Sequence, residues 1–179
     1  VMAERLRAIN PDCQVRAVID FVTDRTLPDY ITEDLDGVAD CIDSAKSKVE
    51  LIAWCRRRRI PIVTAGGAAG QIDPTQVTVS DLSRTTNDPL AAKARSQLRR
   101  NHNFPKSGSK RSFGVPCVYS TEQLRYPAPD GTFCREKTFV GETVKLDCEG
   151  GLGAVSMVTG TFGLVVAARL VDRILARKR

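Results

Sequence analysis

At 179 residues with 42% hydrophobic content, the chain is about one domain's worth of sequence with enough apolar material for a core, which excludes a disordered protein. Its net charge of +6 suits an anionic partner, and a single histidine, His102, leaves no material for a Ser-His-Asp triad or a histidine-based metal site. The six cysteines, at 13, 41, 55, 117, 134 and 148, include no pair two residues apart, which fits a reduced cytosolic setting.

The chain opens at Val1 on "VMAERLRAIN", where Met2, Leu6 and Ile9 recur at helical spacing, so it is expected to begin within a longer protein. In "QVRAVIDFV", Val15, Ala17, Ile19 and Phe21 alternate with Gln14, Arg16 and Asp20, the pattern of a half-buried strand. "GVADCID" reads as a short strand. From Ser44 to Arg58 the apolar stripe Val49, Ile52, Ala53 and Cys55 predicts a helix that Pro61 ends. Ile60, Ile62 and Val63 then read as a strand buried on both faces, followed by Gly66, Gly67 and Gly70, where the backbone is expected to approach a substrate or a bound ion. "QVTVSDL" supplies another strand through Val77 and Val79. Short strand-helix-strand connections imply an α/β, doubly wound, mostly parallel sheet whose ligands sit beyond the carboxyl ends of its strands.

Residues 89 to 121 contain no acidic side chain but carry Lys93, Arg95, Arg99, Arg100, Lys106, Lys110 and Arg111, first on a helix-like stretch and then on a polar loop. The remainder of the chain is nearly neutral. Such segregation fits a polyanion neutralised through its phosphates, although a basic run can also be an ordinary solvated face. The "RRRR" run at 56 to 59 is weaker evidence, since arginines closing a helix are stabilised by its dipole without any partner. Gly150 to Ala168 is uncharged and approaches the length of a membrane span, yet its glycines, threonines and serine favour a helix buried inside a soluble fold.

Asp40 and Asp43 stand where a strand gives way to a helix, a place where a carboxylate can hold the metal of a bound nucleotide; Asp43 and Ser44 are equally good helix caps. Cys148 lies beside "EGGLG", where glycines could free a nucleophilic thiol, or it is a small buried hydrophobe.

In this order, "DCIDSAKSK", "IPIVTAGGAAGQIDPTQ", "DPLAAKARSQLRR", "VYSTEQLRYP" and "LDCEGGLGAVSMVTGTFG" resemble the tRNA threonylcarbamoyladenosine dehydratases, a branch of the ubiquitin-activating-enzyme-like adenylating proteins. The resemblance covers residues 1 to 179 as a single domain with a C-terminal strand-and-helix extension. It places the family's phosphate loop and first strands before Val1. It implies ATP-dependent adenylation of a threonylcarbamoyl carboxylate on tRNA, followed by ring closure with loss of water. Asp43 then matches the aspartate holding the magnesium of ATP, Lys48 a basic residue near the nucleotide, and Cys148 a nucleophilic or sulfur-relay cysteine. A monovalent cation, a homodimer and a sulfur-transfer partner are further implications, in a cytoplasmic enzyme with peripheral membrane association as the minor alternative. The paired-cysteine zinc knuckles of the sulfur-carrier-activating relatives are missing, so no zinc is expected. Adenylation of a ubiquitin-like sulfur carrier is therefore the second reading, and a non-catalytic binding or dimerisation module the third.

Overall fold

The computed structural model describes residues 1–127, 132–134 and 152–177. Its centre is a four-stranded sheet in the order β1 (Val38–Asp40), β2 (Ile62–Ala65), β4 (Pro116–Ser120), β3 (Val77–Asp81). β1, β2 and β4 are parallel, with Val38 opposite Ile62 and Thr64 opposite Cys117. β3 runs antiparallel on the outer edge of β4, pairing Val77 with Ser120 and Asp81 with Pro116. The mostly parallel, Rossmann-like sheet expected from the sequence is thus present, with one reversed edge strand.

Both faces are covered. β2 is buried along its whole length, as a strand between two layers must be. Ile62, Cys117 and Tyr119 point toward α3 (Ala45–Arg57) and α4 (Pro89–Asn101), whose Val49, Ile52, Ala91 and Leu98 complete that core. The alternate residues Val63, Ala65 and Val118 meet Val158, Phe162 and Val166 of α5 (Ser156–Arg177) on the opposite face. α5 is therefore an integral layer, buried along one stripe and not all round: Met157, Leu164, Val171 and Leu175 stay exposed. Among the described residues no helix is long and apolar enough to cross a membrane. A short ribbon, β5 (Tyr126–Pro127) with β6 (Phe133–Cys134), follows the sheet.

The predicted strand over residues 14 to 22 is not formed. That segment pairs with no strand among the described residues, and Ile19 and Phe21 are exposed. Alternation makes a strand only where a neighbouring edge accepts its backbone hydrogen bonds. The helix at the start does form, as α1 (Met2–Ile9), but it buries no residue. α2 (Leu27–Tyr30) is a single turn that anchors Leu27 in the core.

Candidate functional site

The carboxyl ends of β1 and β2 are built around a buried ion pair. Asp40, the last residue of β1, accepts from Lys48 Nζ at 2.7 Å and from Thr64 Oγ1 at 2.5 Å, and its other oxygen accepts the amide of Ile42 at 3.0 Å. Lys48 also donates to the Ala65 carbonyl at 2.9 Å and lies 3.1 Å from Thr64 Oγ1. Its ammonium has three donors, and three protein oxygens surround it, so Lys48 ties the first turn of α3 to the last residues of both strands. Both charges are fully buried.

Asp43 differs in every respect. It is exposed, directly before α3, and makes no hydrogen bond or ion pair among the described residues. Ser44 occupies the cap position of α3, yet its side chain makes no capping bond. A solvent-facing carboxylate at the end of a parallel strand, with its lone pairs unused, fits a magnesium ion, which takes one or two carboxylates and completes its shell with water and phosphate oxygens. Among the described residues no group of three or more His, Cys, Asp and Glu gathers to hold a metal by itself.

The glycines after β2 approach other parts of the chain. A Cβ on Gly66 would lie 1.8 Å from Asp88 Oδ2, while Gly67 donates its amide to that oxygen at 3.0 Å. Asp88 also caps α4 by accepting the Ala91 amide at 2.9 Å. Burial raises its pKa, against the opposing pull of those amides and of Lys48. Gly70 has a left-handed φ of 71° and exchanges backbone bonds with Gly153 and Arg125. Asp88 was missed in the sequence. Its "NDPL" context, an acidic cap before proline, marks the start of a helix but not the carboxylate's contact with the glycine turn. Beside Asp88 opens a cavity of about 340 Å³, walled by Arg95, Gln123, Leu124 and Tyr126.

The seven cations of the basic segment divide into two groups. Arg95 donates to Thr85 Oγ1, and Arg99 donates to the Pro105 carbonyl at 3.1 Å while covering the Phe113 ring. These two hold α4 and the following loop in place. Lys93, Arg100, Lys106, Lys110 and Arg111 are exposed. α4 runs from the carboxyl end of the sheet to its amino end, a span of about 20 Å at 1.5 Å per residue, so the loop cations lie far from Asp43. Cys148 lies outside the described residues.

Residues 1–179 match the ThiF family along their whole length. The chain is 49% identical over 177 residues to the tRNA threonylcarbamoyladenosine dehydratase of Escherichia coli K12, covering 99% of this chain and 66% of that protein. The Haemophilus influenzae protein of the same name is 41% identical over 178 residues, with 99% and 65% covered. A solved structure of the Escherichia coli dehydratase in complex with ATP superposes with a TM-score of 0.82 at 44% identity, covering 99% of this chain and 63% of that one. The chain belongs to the ThiF family, and it spans about two thirds of the length of these relatives.

Proposed function

We propose that the intact protein is an ATP-dependent dehydratase acting on threonylcarbamoyladenosine in the anticodon loop of tRNA. The observation that carries this reading is Asp43, an exposed carboxylate without a partner among the described residues, just beyond the carboxyl end of a parallel strand whose neighbouring charge, Asp40, is buried and neutralised. The names of the relatives in Escherichia coli and Haemophilus influenzae support the substrate, and the ATP complex supports the nucleotide.

The chemistry asks for charge neutralisation more than for a strong base. The substrate carboxylate attacks the α-phosphorus of ATP and expels pyrophosphate; a nucleophilic atom of the same side chain then attacks the acyl carbon, AMP leaves and the ring closes. Magnesium supplies neutralisation of phosphate charge, and Asp43 is the residue that would hold it. Lys48 acts from beneath: by fixing Asp40, Thr64 and the Ala65 carbonyl it sets the strand ends over which Asp43 projects. Lys93, Arg100, Lys106, Lys110 and Arg111 grip the tRNA backbone, on a helix and loop held by Arg95 and Arg99. Cys148 would enter this scheme either as a thiolate that takes the acyl group from AMP as a thioester before the ring closes and expels it, or as a relay thiol, and a homodimer, a sulfur-transfer partner, a monovalent cation and a cytoplasmic setting are its further parts. The acid-free segment favours tRNA over a sulfur-carrier protein, which has no need of it.

The test is to incubate the intact protein with ATP, magnesium and tRNA carrying threonylcarbamoyladenosine and to follow the modified nucleoside by mass. Loss of one water is expected, and Asp43→Asn should abolish it with the melting temperature unchanged. A variant that turns over like wild type removes Asp43 from the site.

A further inference from the structure

α3 and α4 pack side by side and both end at the amino end of the sheet, and the loop after α4 lies against the last turn of α3. Arg56 and Arg57 from α3 thereby face His102, Phe104 and Arg111 from the basic segment around a cavity of about 240 Å³. Two runs of positive charge that are distant in sequence become one surface. Arg56, Arg57 and Arg111 are exposed and make no ion pair among the described residues.

Of the two nearby carboxylates, Asp81 is fully engaged and Glu50 lies beside His102. Glu50 lies 3.4 Å from His102 Nε2, and Asp81 accepts the amides of Phe113 and Val115 at 2.9 and 3.1 Å as well as the Ser83 hydroxyl. Arg173 of α5, which does not line the cavity, lies near both Arg56 and Asp81: desolvation together with Arg56 depresses its pKa against the pull of Asp81. The helix dipole accounts for Arg56 and Arg57 at the end of α3, but not for Arg111 on a separate loop.

We propose that this cleft is a phosphodiester-binding site that holds the tRNA backbone away from the nucleotide end. The inference rests on the tRNA reading above and extends it to Arg56 and Arg57. Guanidinium forks match phosphate oxygens in pairs, and among the described residues these make no ion pair with a carboxylate. On its floor Phe104 and Phe113 meet edge to face at 4.9 Å, and the buried Phe113 is withdrawn from stacking. Contacts of this cleft through its arginines would read backbone more than base, as would those of the exposed Arg100, Lys106 and Lys110 of the same basic segment.

The experiment is a tRNA titration of the intact protein across a series of salt concentrations, comparing wild type with the Arg57→Ala/Arg111→Ala double variant. Arg56 is left in place because it packs over Gly114. Loss of two phosphate contacts should lower the log–log salt slope by about 1.4 to 1.8 and weaken binding roughly ten-fold at low salt. Arg57→Lys/Arg111→Lys should restore most of both, with melting temperatures equal throughout. An unchanged slope and affinity in the double variant, with wild type still removing water from its tRNA, overturns the cleft alone and leaves it to an acidic protein surface. Wild type that binds tRNA without turnover, together with a reduced slope in the variant, keeps the cleft and overturns the enzymatic reading.

Discussion

The two ends of the central sheet treat charge in opposite ways. At the carboxyl end, Asp40, Lys48 and Asp88 are buried and every charged atom among them meets an oxygen or an amide. At the amino end, Arg56, Arg57 and Arg111 are exposed and make no ion pair among the described residues. Buried pairs of that kind cost desolvation and are retained for geometry more than for stability, so the carboxyl end is built to hold a shape. Exposed unpaired cations cost little to keep and are free to meet an anion, which makes the amino end a surface for contact.

The most severe way to break this contrast is to remove one half of the buried pair. Lys48→Met leaves the Asp40 carboxylate without its cation and Thr64 without its neighbour, and is expected to lower stability by about 3–5 kcal/mol. In a domain whose whole stability is about 5–15 kcal/mol, that variant should show a large fall in denaturant midpoint. Adding Asp40→Asn should recover part of the loss, since no unpaired charge then remains. Equal midpoints for Lys48→Met and wild type would mean that the pair is solvated and that the carboxyl end is not preorganised.

A smaller effect separates two adjacent glycines. Gly66→Ala drives a methyl group into the Asp88 carboxylate and forces it off the α4 cap, so a loss of about 1–3 kcal/mol is expected from overpacking and the lost cap together. At Gly67 the added methyl meets Leu90 Cβ at 3.6 Å, ordinary contact, and the change should be neutral or stabilising by up to about 1 kcal/mol. Thermal melts of the two variants side by side distinguish packing against Asp88 from a general need for flexibility in the turn. Comparable losses at both positions would favour the latter.

The sequence shows this sheet better than it shows this site. β2 and α3 were legible because their apolar periods are local and Pro61 separates them. The direction of β3 was not, since an alternating strand reads the same in a parallel or an antiparallel ladder. Residues 14 to 22 alternate like a strand and pair with none among the described residues, because pairing depends on a second segment that periodicity does not reveal. Asp40 and Asp43 look equivalent in "ADCIDS", but the first ends β1 and turns inward to Lys48, whereas the second lies beyond the strand, in the turn before α3, and stays exposed. Likewise the arginine run at 56 to 59 looked like a helix end, and its meeting with Arg111 is a tertiary contact with no local signature.

The smallest expected effect concerns two aspartates, one from each end, whose pKa values move in opposite directions. Asp88 is raised, by burial first of all, so neutralising it stabilises the fold. Asp81 is lowered: burial pushes it up, but the Ser83 hydroxyl and the amides of Phe113, Ser83 and Val115 outweigh that and favour the charged form. By linkage, the stability contributed by Asp81 is present above the ordinary aspartate value of 3.8 and is lost as the pH falls through its depressed value. The contribution of Asp88 has the other sign: it is fully present below 3.8 and is lost as the pH rises through the elevated value. Asp81→Asn should therefore fall furthest below wild type near neutrality, with the gap narrowing as the solution is acidified past 3.8. For Asp88→Asn the gap should widen as the pH drops toward 3.8, because wild type then sheds a buried charge that asparagine never carried. Chemical denaturation of both variants from pH 7 to the acid limit of folding measures the two gaps directly, and gaps that change in the same direction would mean that the two ends do not differ in how they hold a carboxylate.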